Sequence, residues 1–175
     1  KLPASGWGMP HSGSGRVKAG KGGDTIVVYF DGACEPINPG GVATYGFVIY
    51  RGDRCLHKGS GVAAVGGGAT NNVAEYTALI RALEWLVEHG YIGEELVVRG
   101  DSQLAIRQLS GLYAVRSSRI RPLYEQVARL LRNFKRVRLE WIPRNLNWEA
   151  DALSREAYRR FCRENEELMK RFQPC

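Results

Sequence analysis

The sequence predicts an α/β domain built on a five-stranded mixed β-sheet with helices on its faces. Three β-rich segments follow one another between residues 25 and 65 with short connections, as in an antiparallel meander. From residue 71 onward, helical periodicity alternates with short apolar strands, which is typical of parallel strands joined by helices. The chain has 175 residues, 44% of them hydrophobic, which suits one domain with a substantial core.

Each predicted element has its own signal. Strands are predicted at 25–30, 43–52, 54–65, 94–101 and 136–143, where β-branched and aromatic residues cluster. Helices are predicted at 71–90, 102–111, 118–134 and 147–172, where apolar residues recur at helical spacing. Pro122 fits the first turn of the third helix, and Pro143 ends the last strand. The predicted order is therefore β-β-β-α-β-α-α-β-α.

The ends of the chain differ in composition from this region. Residues 1–24 are rich in Gly and Ser and weakly basic, so we expect a flexible extension. Residues 25–162 form the expected domain, and 163–175 form the end of the last helix and a tail. The cysteines Cys34, Cys55, Cys162 and Cys175 contain no CxxC pair, which argues against a zinc site and leaves a single disulfide open.

Charge is distributed unevenly along the chain. Residues 25–101 carry five Lys/Arg and nine Asp/Glu, a net −4, whereas residues 102–175 carry sixteen and eight, a net +8. An acidic site beside a basic surface suits an enzyme that holds metal ions and binds a polyanion, although arginine-rich helices can also be solvated faces. No apolar run approaches the ~20 residues that span a bilayer, and no signal pattern begins the chain, so we expect a cytoplasmic protein with no membrane partner.

Four acidic residues lie at comparable places in the predicted elements. Asp31 and Asp101 are placed at the ends of the first and fourth strands, and Glu75 and Asp151 in the first turns of the first and last helices. Each has a structural explanation of its own. These are an Asp31-Gly32 turn, an Asn72/Glu75 capping box, an Asp101-Ser102 cap and an Asp151/Arg155 pair.

Taken together, the four acids favour a metal site. Strand ends and adjoining helix starts converge at one edge of an α/β sheet, where ligands bind. Converging carboxylates repel one another unless cations neutralise them, and all-oxygen ligands favour Mg²⁺ or Mn²⁺. Two such ions about 4 Å apart can support in-line phosphodiester hydrolysis.

Four motifs resemble a known family. YFDGAC, TNNVAEY, GDSQL and NWEADALS occur in this order on the predicted layout, as in type 1 ribonuclease H. CEPINPGG and WIPRNLNWEAD look like the archaeal-type branch and its compact bacterial relatives. The resemblance implies the ribonuclease H-like fold and an endonuclease that cleaves the RNA strand of RNA–DNA hybrids with two Mg²⁺ or Mn²⁺ ions. It also implies a 5′-phosphate and a 3′-hydroxyl as products.

The resemblance also assigns roles to the acids. Asp31 would bridge both metals, Asp151 would complete the site of the water-activating metal, and Glu75 and Asp101 would hold the second metal. Glu75 would also face a ribose 2′-hydroxyl. The substrate-binding residues implied by the motifs are Gly32, Cys34, Asn38, Thr70, Asn71, Asn72 and Gln103, with Thr70 on a phosphate of the DNA strand. For the asparagines, turn and capping chemistry is the structural alternative.

The sequence departs from the better-known bacterial enzymes in three ways. Arg144 occupies the loop position where those enzymes have a histidine. An arginine keeps its charge, so we expect an electrostatic role in product or metal release, or else a solvated loop residue. The Lys/Trp-rich protrusion is missing, and one extra residue between Cys34 and Asn38 makes the placement of Asn38 less direct. Asn147 is expected to shape the metal site or to cap the last helix.

Other functions remain open at this stage. The expected protein is a monomeric ribonuclease H, which could also cleave double-stranded RNA. Alternatives are a non-catalytic module that binds hybrids or double-stranded RNA, a ribonuclease H domain of a reverse transcriptase, and a different nuclease or transposase-like enzyme on the same fold.

Overall fold

The computed structural model describes residues 25–172, so the predicted extension at 1–24 and the last three residues lie outside the described part. The strands are β1 (Ile26–Glu35), β2 (Val42–Arg51), β3 (Arg54–Val65), β4 (Glu95–Gly100) and β5 (Arg136–Trp141). The helices are α1 (Asn71–Glu88), α2 (Gln103–Leu109), α3 (Ile120–Leu131), α4 (Trp148–Glu164) and α5 (Glu166–Met169), with short 3₁₀ turns at Arg144–Leu146 and Lys170–Phe172. The predicted order of elements is confirmed as far as α4.

The five strands form one mixed sheet in the spatial order β3-β2-β1-β4-β5. β1 pairs antiparallel with β2, and β2 with β3, which confirms the meander. β1 pairs parallel with β4, and β4 with β5. The sheet therefore changes from antiparallel to parallel pairing at β1, and β1 becomes the central strand.

The side chains of β1 alternate between the two faces of the sheet, and those on one face point into the main core. Ile26, Val28 and Phe30 are completely buried, as are Leu79 and Leu83 of α1. Burying apolar side chains contributes about 25 cal/mol for each Å² removed from water, so this layer holds α1 against the sheet. The opposite face is covered over β1–β3 by α4.

α1 begins at Asn71, as predicted, but its N-cap differs from the prediction. Thr70 is the N-cap, because its Oγ1 accepts a hydrogen bond of 3.0 Å from the Val73 N–H. The predicted capping box of Asn72 and Glu75 is therefore wrong. The prediction that Glu75 lies in the first turn of α1 is wrong. The helix begins at Asn71, so its first turn ends before Glu75.

The final helix is also shorter than predicted. α4 ends at Glu164, and Asn165 leaves the helical conformation with φ −134° and ψ 48°. The Asn165 Nδ2 donates to the Phe161 carbonyl at 2.9 Å, so its amide satisfies a carbonyl of the last turn. This local bond replaces helix propagation, and the prediction of one helix over 147–172 is wrong.

Cys34, Cys55 and Cys162 are free thiols, and Cys175 lies outside the described residues. Between residues 25 and 172, no helix is long and apolar enough to cross a bilayer.

Candidate functional site

Three of the four predicted acids meet at one end of the sheet. Each of Asp31, Glu75 and Asp101 has a carboxylate oxygen within 4.8 Å of those of the other two. Asp31 and Glu75 are buried and Asp101 is partly exposed, so the cluster opens to solvent on one side. Asp31 lies on β1, Glu75 lies on α1, and Asp101 directly follows β4.

The register of β1 and β4 explains why Asp31 and Asp101 are neighbours. Their parallel pairing ends at Phe30 and Gly100, so the next residue on each strand is an aspartate. β1 itself does not end there, because its pairing with β2 continues to Glu35. The prediction that Asp31 ends the first strand is wrong in this respect, since Asp31 marks the end of the parallel pairing only.

Close packing at Gly32 brings Glu75 to the two aspartates. A Cβ on Gly32 would lie 2.4 Å from the Ala74 carbonyl carbon and 2.5 Å from the Glu75 nitrogen. The backbone of α1 therefore rests directly on β1. The space that a side chain at position 32 would need is filled by α1.

Asp151 lies on α4, which packs on the face of the sheet opposite α1. It lies in the first turn of α4, as predicted, and its carboxyl is near enough to help raise the pKa of Asp31. Its own Oδ2 also accepts an ion-pair contact of 3.1 Å from Arg155 Nε, which confirms the predicted i,i+4 pair. The structural and the metal-binding explanations of Asp151 are therefore compatible.

Two residues fix the position of α4, of which Asn147 is among the predicted site residues and Gly46 is not. Asn147 occupies the N-cap position of α4, but its buried side chain makes no cap bond and instead donates from Nδ2 to the Phe30 carbonyl at 2.8 Å. Gly46 pairs with Asp31 across β1 and β2, and a Cβ there would lie 2.4 Å from the Ala150 carbonyl oxygen. A glycine inside a strand often marks a site where another backbone approaches closely. Gly46 was therefore the signal in the sequence from which the contact with α4 could have been expected.

The acid cluster is electrostatically strained without a cation. Burial, followed by the charge of Asp101, raises the pKa of Asp31 to about 8. Burial and the charges of Asp31 and Asp101 also raise the pKa of Glu75 well above its usual value. The Gly32 N–H offsets both shifts only in part. Such shifts mark a site that needs positive charge to hold all its carboxylates ionised.

The predicted substrate-binding asparagines form a connected network beside the acids. Asn71 Oδ1 accepts from the Cys34 N–H at 2.7 Å, and Asn38 Oδ1 accepts from the Asn71 N–H at 3.1 Å. The Cys34 thiol donates to the Ile37 carbonyl at 3.2 Å. The loop after β1 is thereby tied to the start of α1, and the extra residue in the loop does not remove Asn38 from the site.

Similarity to known proteins decides the family. A family model described as "Reverse transcriptase-like" matches residues 30–157. The Ribonuclease HI of Halobacterium salinarum is 38% identical over 154 residues, which cover 86% of this chain and 72% of that protein. The chain belongs to the type 1 ribonuclease H family. Halobacterium salinarum is an archaeon, so this match is consistent with the resemblance to the archaeal-type branch.

Solved structures of other ribonucleases H share the fold of this ribonuclease H. The N-terminal domain of Rv2228c from Mycobacterium tuberculosis, solved as a fusion with maltose-binding protein, has a TM-score of 0.73 and 32% identity, over 81% of this chain and 98% of that one. LC11-RNase H1, isolated from compost and solved with an RNA/DNA hybrid, has a TM-score of 0.68 and 36% identity, over 76% and 96%. The chain spans 35% of the length of the whole bifunctional protein Rv2228c, with 38% identity over 132 residues.

The acids of this ribonuclease H suit a hard divalent cation. The three clustered groups offer only carboxylate oxygens, which Mg²⁺ and Mn²⁺ prefer. The buried Oε2 of Glu75 finds no hydrogen-bond partner among residues 25–172. A buried, unpaired carboxylate oxygen is costly, and coordination to a cation would satisfy it.

The remaining predicted residues lie at the starts of α1 and α2 and in the turn before α4. Gln103 is exposed in the first turn of α2, two residues after Asp101. Asn72 is half-buried, and its Oδ1 finds no hydrogen-bond partner in the described part of the chain. Arg144 is exposed and begins the 3₁₀ turn between β5 and α4. α2 and α3 are joined only by residues 110–119, so there is no helical protrusion between them.

Proposed function

We propose that this chain is an endonuclease that hydrolyses the RNA strand of RNA–DNA hybrids with two divalent cations, Mg²⁺ or Mn²⁺. The products would carry 5′-phosphate and 3′-hydroxyl ends. The observation that carries the proposal is the convergence of Asp31, Glu75 and Asp101 within 4.8 Å, with Asp151 acting on Asp31 from α4. Membership of the ribonuclease H family, which includes a relative solved with a hybrid, supports it.

Each acid has a proposed part in holding the cations. Asp31 lies within 4.8 Å of Glu75 and Asp101 and its pKa is also raised by Asp151, which suits a ligand shared by both ions. The bound ions would lower the pKa of a water molecule and stabilise negative charge on the scissile phosphate and the leaving oxygen. Because β1 and α1 contact each other backbone to backbone at Gly32, the chain holds these ligands rigidly before substrate binds.

The asparagine network gives this chain a means to recognise RNA. The Oδ1 atoms of Asn38 and Asn71 already accept backbone hydrogen bonds, so each side chain has its NH₂ group left to donate. The minor groove of a hybrid offers acceptors at base edges and at 2′-hydroxyls, which only the RNA strand carries. We therefore assign Asn38, Asn71, Asn72 and Gln103, with the backbone at Gly32 and Cys34, to the minor groove.

Thr70 can combine its two proposed roles. Its Oγ1 accepts from the Val73 N–H as a helix cap, which leaves the hydroxyl hydrogen free to donate. A phosphate of the DNA strand at this helix start would receive that hydrogen bond. All the proposed groups lie on one chain, so one copy suffices for activity and we propose a monomer.

A side-by-side cleavage assay tests the substrate. End-labelled hybrid, double-stranded RNA and duplex DNA of one sequence are incubated with the protein and Mg²⁺ or Mn²⁺. We expect the RNA strand of the hybrid to be cut and duplex DNA to remain intact, while the double-stranded RNA lane shows whether the activity extends to that substrate. Binding of the hybrid without cleavage under all metal conditions would favour the non-catalytic module instead.

A further inference from the structure

Two exposed tryptophans lie next to acids of the candidate site, because Trp141 bonds to the Asp101 backbone and Trp148 is three residues before Asp151. Trp141, the last residue of β5, has 44% of its surface exposed, and Trp148, the first residue of α4, has 65% exposed. Trp85 is different, because its ring stacks on His57 and His89. Large exposed aromatic groups beside a functional site indicate a surface that contacts a ligand.

The position of Trp148 is fixed by its neighbours in the chain. Asn147 bonds to the Phe30 carbonyl at 2.8 Å, and Glu149 Oε1 accepts from the Tyr50 hydroxyl at 2.5 Å. Residues three apart lie on one side of a helix, so Trp148 is on the same side of α4 as Asp151. The indole is therefore held on a rigid element beside the acids.

Trp141 is held next to Asp101. Its Nε1 donates to the Asp101 carbonyl at 3.1 Å, and its backbone is in register with Gly100. The turn between the two tryptophans carries the exposed Arg144 and Leu146, the latter 57% exposed. The surface therefore combines two aromatic rings with a cation, which is the chemistry that binds single-stranded nucleic acid.

We propose that Trp148, assisted by Trp141, stacks on unpaired bases of the RNA strand where that strand leaves the acid cluster. This inference rests on the proposed function. Bases inside a duplex are already stacked on each other, so an exposed indole gains a base face only where the strand is unpaired. The net +8 of residues 102–175 favours an anionic strand as the occupant. The chain would therefore prefer hybrids with single-stranded RNA extensions over blunt hybrids.

Steady-state cleavage of matched hybrids tests this preference. One hybrid is blunt, and the others carry a six-nucleotide extension of the RNA strand or of the DNA strand at either end. Base–aromatic stacking of this kind changes affinity by about fivefold or more, so we expect KM to be about fivefold lower for an RNA extension, with similar kcat. Trp148→Ala should bring the ratio of the two KM values close to one, and Trp148→Phe should keep most of it.

Ile92→Ala serves as the matched control, because Ile92 is 55% exposed and precedes β4 at the end of the sheet opposite Asp101. Ile92→Ala should keep the wild-type ratio of KM for the blunt hybrid to KM for the hybrid with an RNA extension. An unchanged ratio in Trp148→Ala, or a gain confined to DNA extensions, would overturn the inference while cleavage of the blunt hybrid still supports the proposed function. A dimer that Trp148→Ala converts to monomer in gel filtration would also overturn it, because the surface would then bind a second copy. If the wild type leaves every hybrid uncut, the proposed function itself fails.

Discussion

Replacement of Gly32 by alanine tests how the acid cluster is assembled. The added Cβ would lie 2.4 Å from the Ala74 carbonyl carbon and 2.5 Å from the Glu75 nitrogen, whereas ordinary contacts begin at 3.4 Å. Both contacts are therefore about 1 Å too short. Because both neighbours are backbone atoms, no side-chain rotation can relieve the clash, and α1 must move away from β1.

The size of the effect follows from this displacement. Overpacking of a tight contact costs about 1–3 kcal/mol, and for a domain of this size each kcal/mol lowers Tm by about 2–4 °C. We therefore expect Tm to fall by roughly 5 °C. The same movement carries Glu75 away from Asp31 and Asp101, and a 1 Å displacement of a catalytic group costs about 100-fold in rate. At 25 °C the cleavage rate of Gly32→Ala should therefore fall by a larger factor than its folded fraction does.

Thermal unfolding, calorimetric titration with Mn²⁺ and hybrid cleavage measure these effects separately. Gly67→Ala is the matched control, because a Cβ at Gly67 meets nothing within 4 Å and should leave all three measurements unchanged. If Gly32→Ala keeps the wild-type Tm, Mn²⁺ affinity and cleavage rate, then α1 does not depend on this contact, and the account of Glu75 is wrong.

Three further predictions follow from the site. The raised pKa of Asp31, about 8 against 3.8 in the unfolded chain, means that the folded metal-free protein retains a proton that the unfolded chain releases. Its free energy of unfolding should therefore fall as pH rises from 4 to 8, and Mg²⁺ should reverse the fall; a Tm that rises over this range without metal would contradict the shift. Asn147→Ala removes the donor to the Phe30 carbonyl and should cost about 1–3 kcal/mol in urea unfolding, whereas a change below 0.5 kcal/mol would show that the bond is unimportant. Arg144→Ala should slow turnover less than Asp31→Asn does in the same cleavage assay, and equal losses would give Arg144 a larger role than proposed.

The sequence predicted the order of the elements well because its signals are local. Strand β3 was predicted over its full observed range, and β2, β4 and β5 to within two residues at each end, since β-rich segments end at glycine, proline or a charged turn. β1 continues five residues past its predicted end, because its pairing with β2 goes on after its pairing with β4 stops. The errors arose where a side chain competes with the regular pattern. Thr70 and not Asn72 caps α1, and the amide of Asn165 ends α4 eight residues before the predicted end.

The four acids were identified from the sequence, but the way they are brought together was not. Which strand pairs with β1, and where that pairing stops, depends on contacts between distant parts of the chain. The contacts of Gly32 with α1 and of Gly46 with α4 are likewise long-range. A glycine in a strand indicates that something approaches closely, but the sequence alone does not name the neighbour.

Metal-dependent cleavage of the RNA strand tests the central claim most directly. Wild-type protein and Asp101→Asn are incubated with a labelled hybrid in Mg²⁺, in Mn²⁺ and in EDTA, after circular dichroism has shown that both are folded. Because Asp101 supplies one of the three clustered carboxylates, we expect the wild type to cut only with a divalent cation and the variant to lose most of its activity. Cleavage that persists in EDTA, or a variant that cuts at the wild-type rate, would contradict a metal centre at this site.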